Sequence, residues 1–185
     1  MTIPFRVLES DSPGTAAFLR VIPFPEGGGY DGALFVMRAG GEPVEFCFSR
    51  VDTPRTALWR KGDLVRRATI ELARALLQVC SDSPSVLFLR ADEVAPDVFE
   101  SGLSVGIPIC RVASSLDLVL ASPREHEEAT AAGDLHLFWS PESPGEGHVA
   151  RMLVDRLIAT SLLVEPFERA EAGLREVKRE EPTES

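Results

Sequence analysis

The chain has 185 residues, of which 44% are hydrophobic and 26% are charged, a composition typical of one globular domain and unlike that of a disordered chain. With 19 basic and 29 acidic side chains, its formal net charge is −10, which disfavours general binding to phosphate backbones or to anionic membranes. No apolar run approaches the ~18 residues of a membrane span, and no secretory signal begins the sequence, so we expect a soluble cytoplasmic protein.

The first half of the chain predicts an antiparallel meander of strands followed by a long helix. Strands are expected at 5–8, 16–24, 33–38 and 43–51, because β-forming residues there are separated by Gly-rich turns. Apolar residues then recur at helical spacing over 64–80, with Asp63 as the expected N-cap.

The second half predicts short strands that alternate with helices. Apolar runs indicate strands at 86–89, 107–112 and 135–139, and a strand or helix at 116–120. Helical segments are expected at 96–100, 123–132 and 149–164, and in a last helix with Pro166 in its first turn. We predict an α/β core domain over 1–140 and a C-terminal helical segment over 141–185, packed on the core and frayed from about 179. The fold class is therefore α/β: an antiparallel three-strand meander, a crossover helix and strand–helix units, the order of RNase H-like folds.

Three cysteines, Cys47, Cys80 and Cys110, lie in apolar stretches 33 and 30 residues apart. No CxxC or CxxH pair exists, which excludes the usual zinc ligand pattern. We interpret the cysteines as small core residues of a protein in a reducing compartment, and the sequence predicts no cofactor.

Two stretches of the chain resemble endonuclease V. Residues 86–89 (VLFL) are similar to the buried strand that precedes the family's catalytic loop, and residues 106–113 (GIPICRVA) are similar to its later strand. The comparable span is about 16–115. The resemblance implies an RNase H-like fold, in which convergent carboxylates hold two divalent metal ions that generate the nucleophile and stabilise the leaving oxygen.

The chain departs from the family where the family places its carboxylates. The family has an Asp in the middle of the first strand, whereas residues 17–22 here contain Arg20 and no acid. The family's next acid ends the strand before the loop, whereas Arg90 lies there and Asp92 and Glu93 come a few residues later. The resemblance therefore implies the fold without the family's metal ligands.

Asp92 and Glu93 are nevertheless candidate ligands, because they follow the carboxyl end of a predicted buried strand, where open α/β sheets bind ligands. Asp52 ends another predicted strand and could supply a third carboxylate. One alternative function is thus a divalent-metal-dependent hydrolase or nuclease that uses these three residues. A solvated loop or a helix cap is the preferred interpretation of the same acids.

The charge is unevenly distributed. Residues 50–74, the basic segment, contain seven basic and three acidic side chains, a net charge of +4, and the remaining twelve basic and 26 acidic side chains carry −14. The predicted partner-binding residues are Arg55, Trp59, Arg60, Lys61, Arg66, Arg67 and Arg74.

The leading hypothesis from this charge pattern is a non-catalytic accessory or protein-interaction subunit. Its basic segment would contact an acidic partner, either another protein or a second copy of the chain, and no membrane. A further alternative is non-catalytic nucleic-acid binding through the same segment, with an affinity that falls as salt rises. Internal pairing or simple solvation of the charges is a third interpretation.

Overall fold

An eight-stranded mixed sheet forms the centre of the molecule. The structure is a computed structural model and describes residues 2–4, 14–54, 58–98, 105–115, 119, 121–131 and 133–180. The strands are β1 (Thr2–Pro4), β2 (Thr15–Pro23), β3 (Gly29–Arg38), β4 (Pro43–Asp52), β5 (Val86–Arg90), β6 (Ile109–Ala113), β7 (His126–Ala129) and β8 (His136–Ser140).

The strand order across the sheet is β1-β4-β3-β2-β5-β6-β8-β7. The three central strands β2, β5 and β6 are parallel neighbours, and all the other neighbouring pairs are antiparallel. The predicted α/β class, with its antiparallel meander β2–β4 and crossover helix, is confirmed.

Helices cover both faces of the sheet. Helix α1 (Lys61–Val79) packs Ala68, Leu72 and Leu76 on one face. Helices α2 (Val149–Ala159) and α3 (Glu165–Glu180) cover the other face. None of these helices is long and apolar enough to cross a membrane.

Aromatic side chains link α3 to the central strands. The Phe18 ring of β2 stacks on the Phe88 ring of β5 with centroids 5.0 Å apart, and the Phe167 ring of α3 meets Phe18 edge-on at 5.3 Å. Further along α3, a Cβ atom on Gly173 would lie 2.7 Å from the Phe46 ring, so glycine permits the close approach of α3 to β4. The division of the chain at residue 140 stays a prediction.

Helix α1 begins earlier than predicted. Its N-cap is Arg60, whose side chain makes no capping hydrogen bond, and Asp63 lies inside the first turn instead of capping it. An acid in the first turn still interacts favourably with the helix dipole, so Asp63 favours this end of the helix without defining its first residue.

The helix predicted over 123–132 is wrong, because residues His126–Ala129 form strand β7 at one edge of the sheet. Backbone pairing with β8 outweighs the local preference of this Glu-rich segment. The helix predicted over 149–164 ends at Ala159, close to Ser161, whose φ of 58° is left-handed. The strand predicted at 5–8, most of the 116–120 run and the end of the 96–100 turn lie outside the described residues.

Candidate functional site

Two arginines lie side by side where the central parallel strands end. The register of β2 and β5 aligns Ala16 with Val86 and Phe18 with Phe88. The same register, continued by two residues, places Arg20 next to Arg90. Because side chains alternate along a strand, both arginines point to the face covered by α2 and α3. We call this end of β2, β5 and β6 the carboxyl edge.

Three carboxylates surround the two guanidinium groups, and we call the five residues the arginine cluster. The guanidinium of Arg20 donates to Glu93 and, over 2.7 Å, to Glu171 of α3. Arg90 donates to the Asp92 carboxylate from Nε and Nη2 over 3.0 and 2.6 Å, and its Nε lies 3.2 Å from a Glu93 oxygen. These side chains are between 12% and 34% exposed, so water reaches the cluster.

The guanidiniums favour the ionised form of two neighbouring acids, Asp92 and Glu171. The hydrogen bond from Arg90 lowers the pKa of Asp92 below its usual value, against the opposing effect of burial. The hydrogen bond from Arg20 lowers the pKa of Glu171 in the same way. The carboxylates of the cluster are thus held by arginine hydrogen bonds.

Two depressions in the surface meet at this cluster. One is a cleft of about 160 Å³ bordered by Arg90 and Asp92, by Ser114 and Ser115 after β6, and by Phe167. The other is a groove of about 440 Å³ between the start of α1 and the segment that follows β5.

The groove brings the basic segment to the carboxyl edge. Lys61 and Arg66 line it from α1, and Glu93, a member of the arginine cluster, lines it from the opposite side. Two features that the sequence separates by about thirty residues therefore border one groove.

Several charges of the basic segment have partners in the described structure. Arg66 lies 3.5 Å from Asp97 and 3.9 Å from Asp63. Arg67 pairs with Glu71 at 2.7 Å. Internal pairing thus accounts for part of the basic charge.

The other predicted partner-binding residues are distributed around the start of α1. Trp59 is 42% exposed, and the Arg67 guanidinium lies 6.0 Å from its ring centre. Arg60, Lys61 and Arg74 are also exposed, whereas Arg55 lies outside the described residues.

Asp52, Asp92 and Glu93 do not form a common ligand set. Asp92 and Glu93 are paired with arginines, and Asp52 ends β4, which is separated from β5 by three interstrand spacings, roughly 14 Å. Among the described residues, a different group of three metal-ligating side chains has ligand atoms that all lie within 4.8 Å of one another. That group lies at the opposite end of β4.

Sequence reasoning missed three members of the arginine cluster, Arg20, Arg90 and Glu171, as functional candidates. Glu171 is 151 residues from Arg20, and no local pattern indicates that they meet. Arg20 and Arg90 do carry a sequence signal, since each occupies a position where the resemblance to endonuclease V places an acid.

Solved structures of endonuclease V share this fold. The enzyme from Streptomyces avermitilis matches with a TM-score of 0.60 and 19% identity, over 92% of this chain and 86% of that one. The catalytic domain of human endonuclease V matches with a TM-score of 0.52 and 16% identity, over 92% of this chain and 84% of that one. The enzyme from Bacillus subtilis gives a TM-score of 0.49 at 14% identity, over 94% and 86%.

No family model matches the sequence, and no curated protein matches it either. The resemblance to endonuclease V and its RNase H-like fold is therefore confirmed as a likeness of fold.

The comparison contradicts the leading hypothesis of a non-catalytic accessory or protein-interaction subunit. The solved chains that share the fold over nine tenths of this chain are endonucleases, and nothing in the match indicates an accessory role. That hypothesis is wrong as the main interpretation.

The residues at the carboxyl edge do not fit the two-metal centre of RNase H-like nucleases. Such a centre needs carboxylates that converge on the cations. The positions where the sequence resemblance places the family's acids hold Arg20 and Arg90, and the fixed positive charges of these arginines oppose a cation there.

Proposed function

We propose that the protein binds nucleic acid across the carboxyl edge, with the start of α1 contacting the phosphate backbone. The observation that carries the proposal is the groove shared by Lys61, Arg66 and Glu93. The groove joins the most basic part of the chain to the carboxyl edge. Endonuclease V, whose solved structure shares this fold, is a nuclease.

The charges favour a local contact over a general one. Arg60, Lys61, Arg66 and Arg67 lie within eight residues at the start of α1, while the rest of the molecule is strongly acidic. Basic side chains on one surface neutralise phosphates and release counterions. The acidic remainder repels the strand elsewhere, so the nucleic acid is confined to this side.

Trp59 favours the binding of single-stranded nucleic acid in particular. Trp59 is 42% exposed beside Arg67, and an exposed aromatic face next to basic side chains can stack on an unpaired base. Such stacking contributes about 1–3 kcal/mol per base.

The test is fluorescence anisotropy with labelled single-stranded and duplex DNA and with RNA at several salt concentrations. We expect binding whose logarithm falls linearly with the logarithm of salt concentration. Changing Lys61, Arg66 and Arg67 together to Glu should weaken binding at least about tenfold and flatten the slope by roughly 0.7–0.9 per lost phosphate contact.

The matched control reverses three exposed arginines on other surfaces, Arg124, Arg156 and Arg179. This variant has the same net charge as the α1 triple variant, so it separates a local contact from global repulsion. Equal loss of affinity in the two variants, or no binding by the wild type, would contradict the proposal.

Cleavage of the bound strand is a second candidate, favoured by the nuclease identity of the matching structures. The acids that border the cleft and the groove are Asp92 and Glu93; both are paired with arginines and neither belongs to a common metal-ligand set, so cleavage is the weaker candidate. Incubation of the labelled strands with Mg²⁺ or Mn²⁺ tests it, with Asp92→Asn and Glu93→Gln as variants. Cleavage that persists in both variants would exclude Asp92 and Glu93 as catalytic residues. Strands that stay intact in all samples would exclude cleavage, and binding would remain as the proposed function.

A further inference from the structure

Two cysteines and a glutamate converge at the end of the sheet opposite the carboxyl edge. Glu45 and Cys47 lie two residues apart near the start of β4 and therefore face the same side. Cys80 is the C-cap residue of α1. One ligand atom from each of these residues lies within 4.8 Å of the other two.

The Glu45 carboxylate is buried and only partly satisfied. Its residue is 2% exposed. One oxygen, Oε2, accepts hydrogen bonds from the backbone N–H groups of Ser81 and Asp82 over 2.8 and 3.1 Å and from the Cys80 thiol over 3.2 Å. These contacts hold the carboxylate against the end of α1.

The other oxygen, Oε1, is buried and has no hydrogen-bond partner among the described residues. A buried carboxylate oxygen without a partner is costly, and native structures usually explain one by a bound water or ion. This oxygen belongs to the same carboxylate and is an observation independent of the cysteine geometry.

We propose that Glu45, Cys47 and Cys80 bind one Zn²⁺ ion, with a water molecule as the fourth ligand. Thiolate sulfur selects zinc over Mg²⁺ and Ca²⁺, which require oxygen ligands. A tetrahedral zinc ion with Zn–S bonds of ~2.3 Å sets its sulfur ligands roughly 3.8 Å apart, which is compatible with ligand atoms that all lie within 4.8 Å of one another.

The position of the site explains what the ion would do. Cys47 is fully buried, whereas Cys80 is half-buried and gives the ion a route from solvent. The ion would fasten the end of α1 to β4, far from the groove at the other end of the helix, so this proposal does not depend on the proposed function.

The test is titration of the full chain, reduced with a phosphine, with Co²⁺ as a spectroscopic probe of zinc sites. We expect one Co²⁺ per chain, a thiolate-to-cobalt charge-transfer band in the near ultraviolet and loss of that band when Zn²⁺ is added. Zn²⁺ should also raise the melting temperature.

Variants assign the ligands. Cys47→Ser and Cys80→Ser should abolish the charge-transfer spectrum or reduce it strongly, and Glu45→Gln should weaken Zn²⁺ binding at least about tenfold. Cys110→Ala is the matched control, because Cys110 is equally buried but lies in the core on the other face of the sheet, and it should keep the full spectrum.

The proposal is overturned if the folded, reduced wild type shows no thiolate–cobalt band, or if Cys80→Ser retains it. Non-reducing mass spectrometry that finds Cys47 and Cys80 joined as a disulfide in the freshly purified protein would also overturn it. Circular dichroism checks the fold of each variant. If Cys47→Ser does not fold, the half-buried Cys80→Ser variant decides.

Discussion

Two arginine–carboxylate groups lie on adjacent strands but differ in burial. Arg111 of β6 is fully buried, and its guanidinium forms two hydrogen bonds with the Glu125 carboxylate, over 2.8 and 2.6 Å. It also donates to the carbonyls of Ala91 and Val94. The arginine cluster on β2 and β5 is part-exposed and contains three carboxylates for two guanidiniums.

The difference in burial indicates that the Arg111 pair and the arginine cluster have different roles. The Arg111 contacts hold the segment after β5, the same segment that carries Asp92 and Glu93, against β6. A buried pair is costly to break, since the remaining charge is left without a partner. Part-exposed pairs contribute less to stability than fully buried ones, so the arginine cluster can exchange a carboxylate partner for a ligand at a lower cost than the Arg111 pair can.

The largest expected effect is that of Arg111→Met, which leaves the Glu125 carboxylate buried without its guanidinium. We expect a loss of about 3–5 kcal/mol in the free energy of unfolding, measured by urea denaturation. The double variant Arg111→Met, Glu125→Leu should recover part of that loss. A single-variant loss below about 1 kcal/mol would show that the pair is no more structural than a surface pair.

A smaller effect is expected for Arg20→Met. The variant removes the donor that Glu93 and Glu171 share, but the side chains of both acids remain about 30% exposed and can be hydrated. We expect a loss of about 1–2 kcal/mol in the free energy of unfolding, by the same urea measurement. A loss as large as that of Arg111→Met would contradict the inferred difference in role between the two arginine–carboxylate groups.

Low pH should reduce the contribution of the arginine cluster to the free energy of unfolding. The folded-state pKa values of Asp92 and Glu171 are lowered by hydrogen bonds from Arg90 and Arg20. Their contribution to stability is therefore fully present above the unfolded values, ~3.9 for Asp and ~4.3 for Glu, and is lost as pH falls through the lower folded values. Urea denaturation from pH 7 to pH 2.5 should show this loss, and Glu171→Gln should reduce its pH dependence. Identical pH curves for the wild type and the variant would contradict the assignment.

The smallest effect on stability is expected for Arg67→Ala. Arg67 pairs with Glu71 one helical turn away, and both side chains are about half exposed. Such pairs contribute roughly 0.3–0.5 kcal/mol, so thermal unfolding should change little while the anisotropy assay detects weaker nucleic-acid binding. A large loss of stability would show that Arg67 has a structural role on α1.

The sequence predicts α1 from a long, regular apolar periodicity, the meander from β-forming stretches separated by Gly-rich turns, and β5 and β6 from short apolar runs. Through the resemblance to endonuclease V, the sequence also indicates that Arg20 and Arg90 occupy positions where that family has acids. It cannot show that Glu171 reaches Arg20 or that Cys80 reaches Glu45, since both contacts depend on where helices pack on the sheet. Strand β7 was unpredictable for a related reason: its four residues form a strand only through pairing with β8.

The sheet ends in its two shortest described strands, β1 with three residues and β7 with four. A long apolar edge strand would offer its free backbone groups to another chain and invite aggregation. Strand β7 instead carries Glu127 and Glu128, so two sheets that approached edge to edge would bring like charges together. The segment that looks like a helix in sequence thus places acidic side chains at an edge of the sheet, an arrangement that disfavours edge-to-edge pairing.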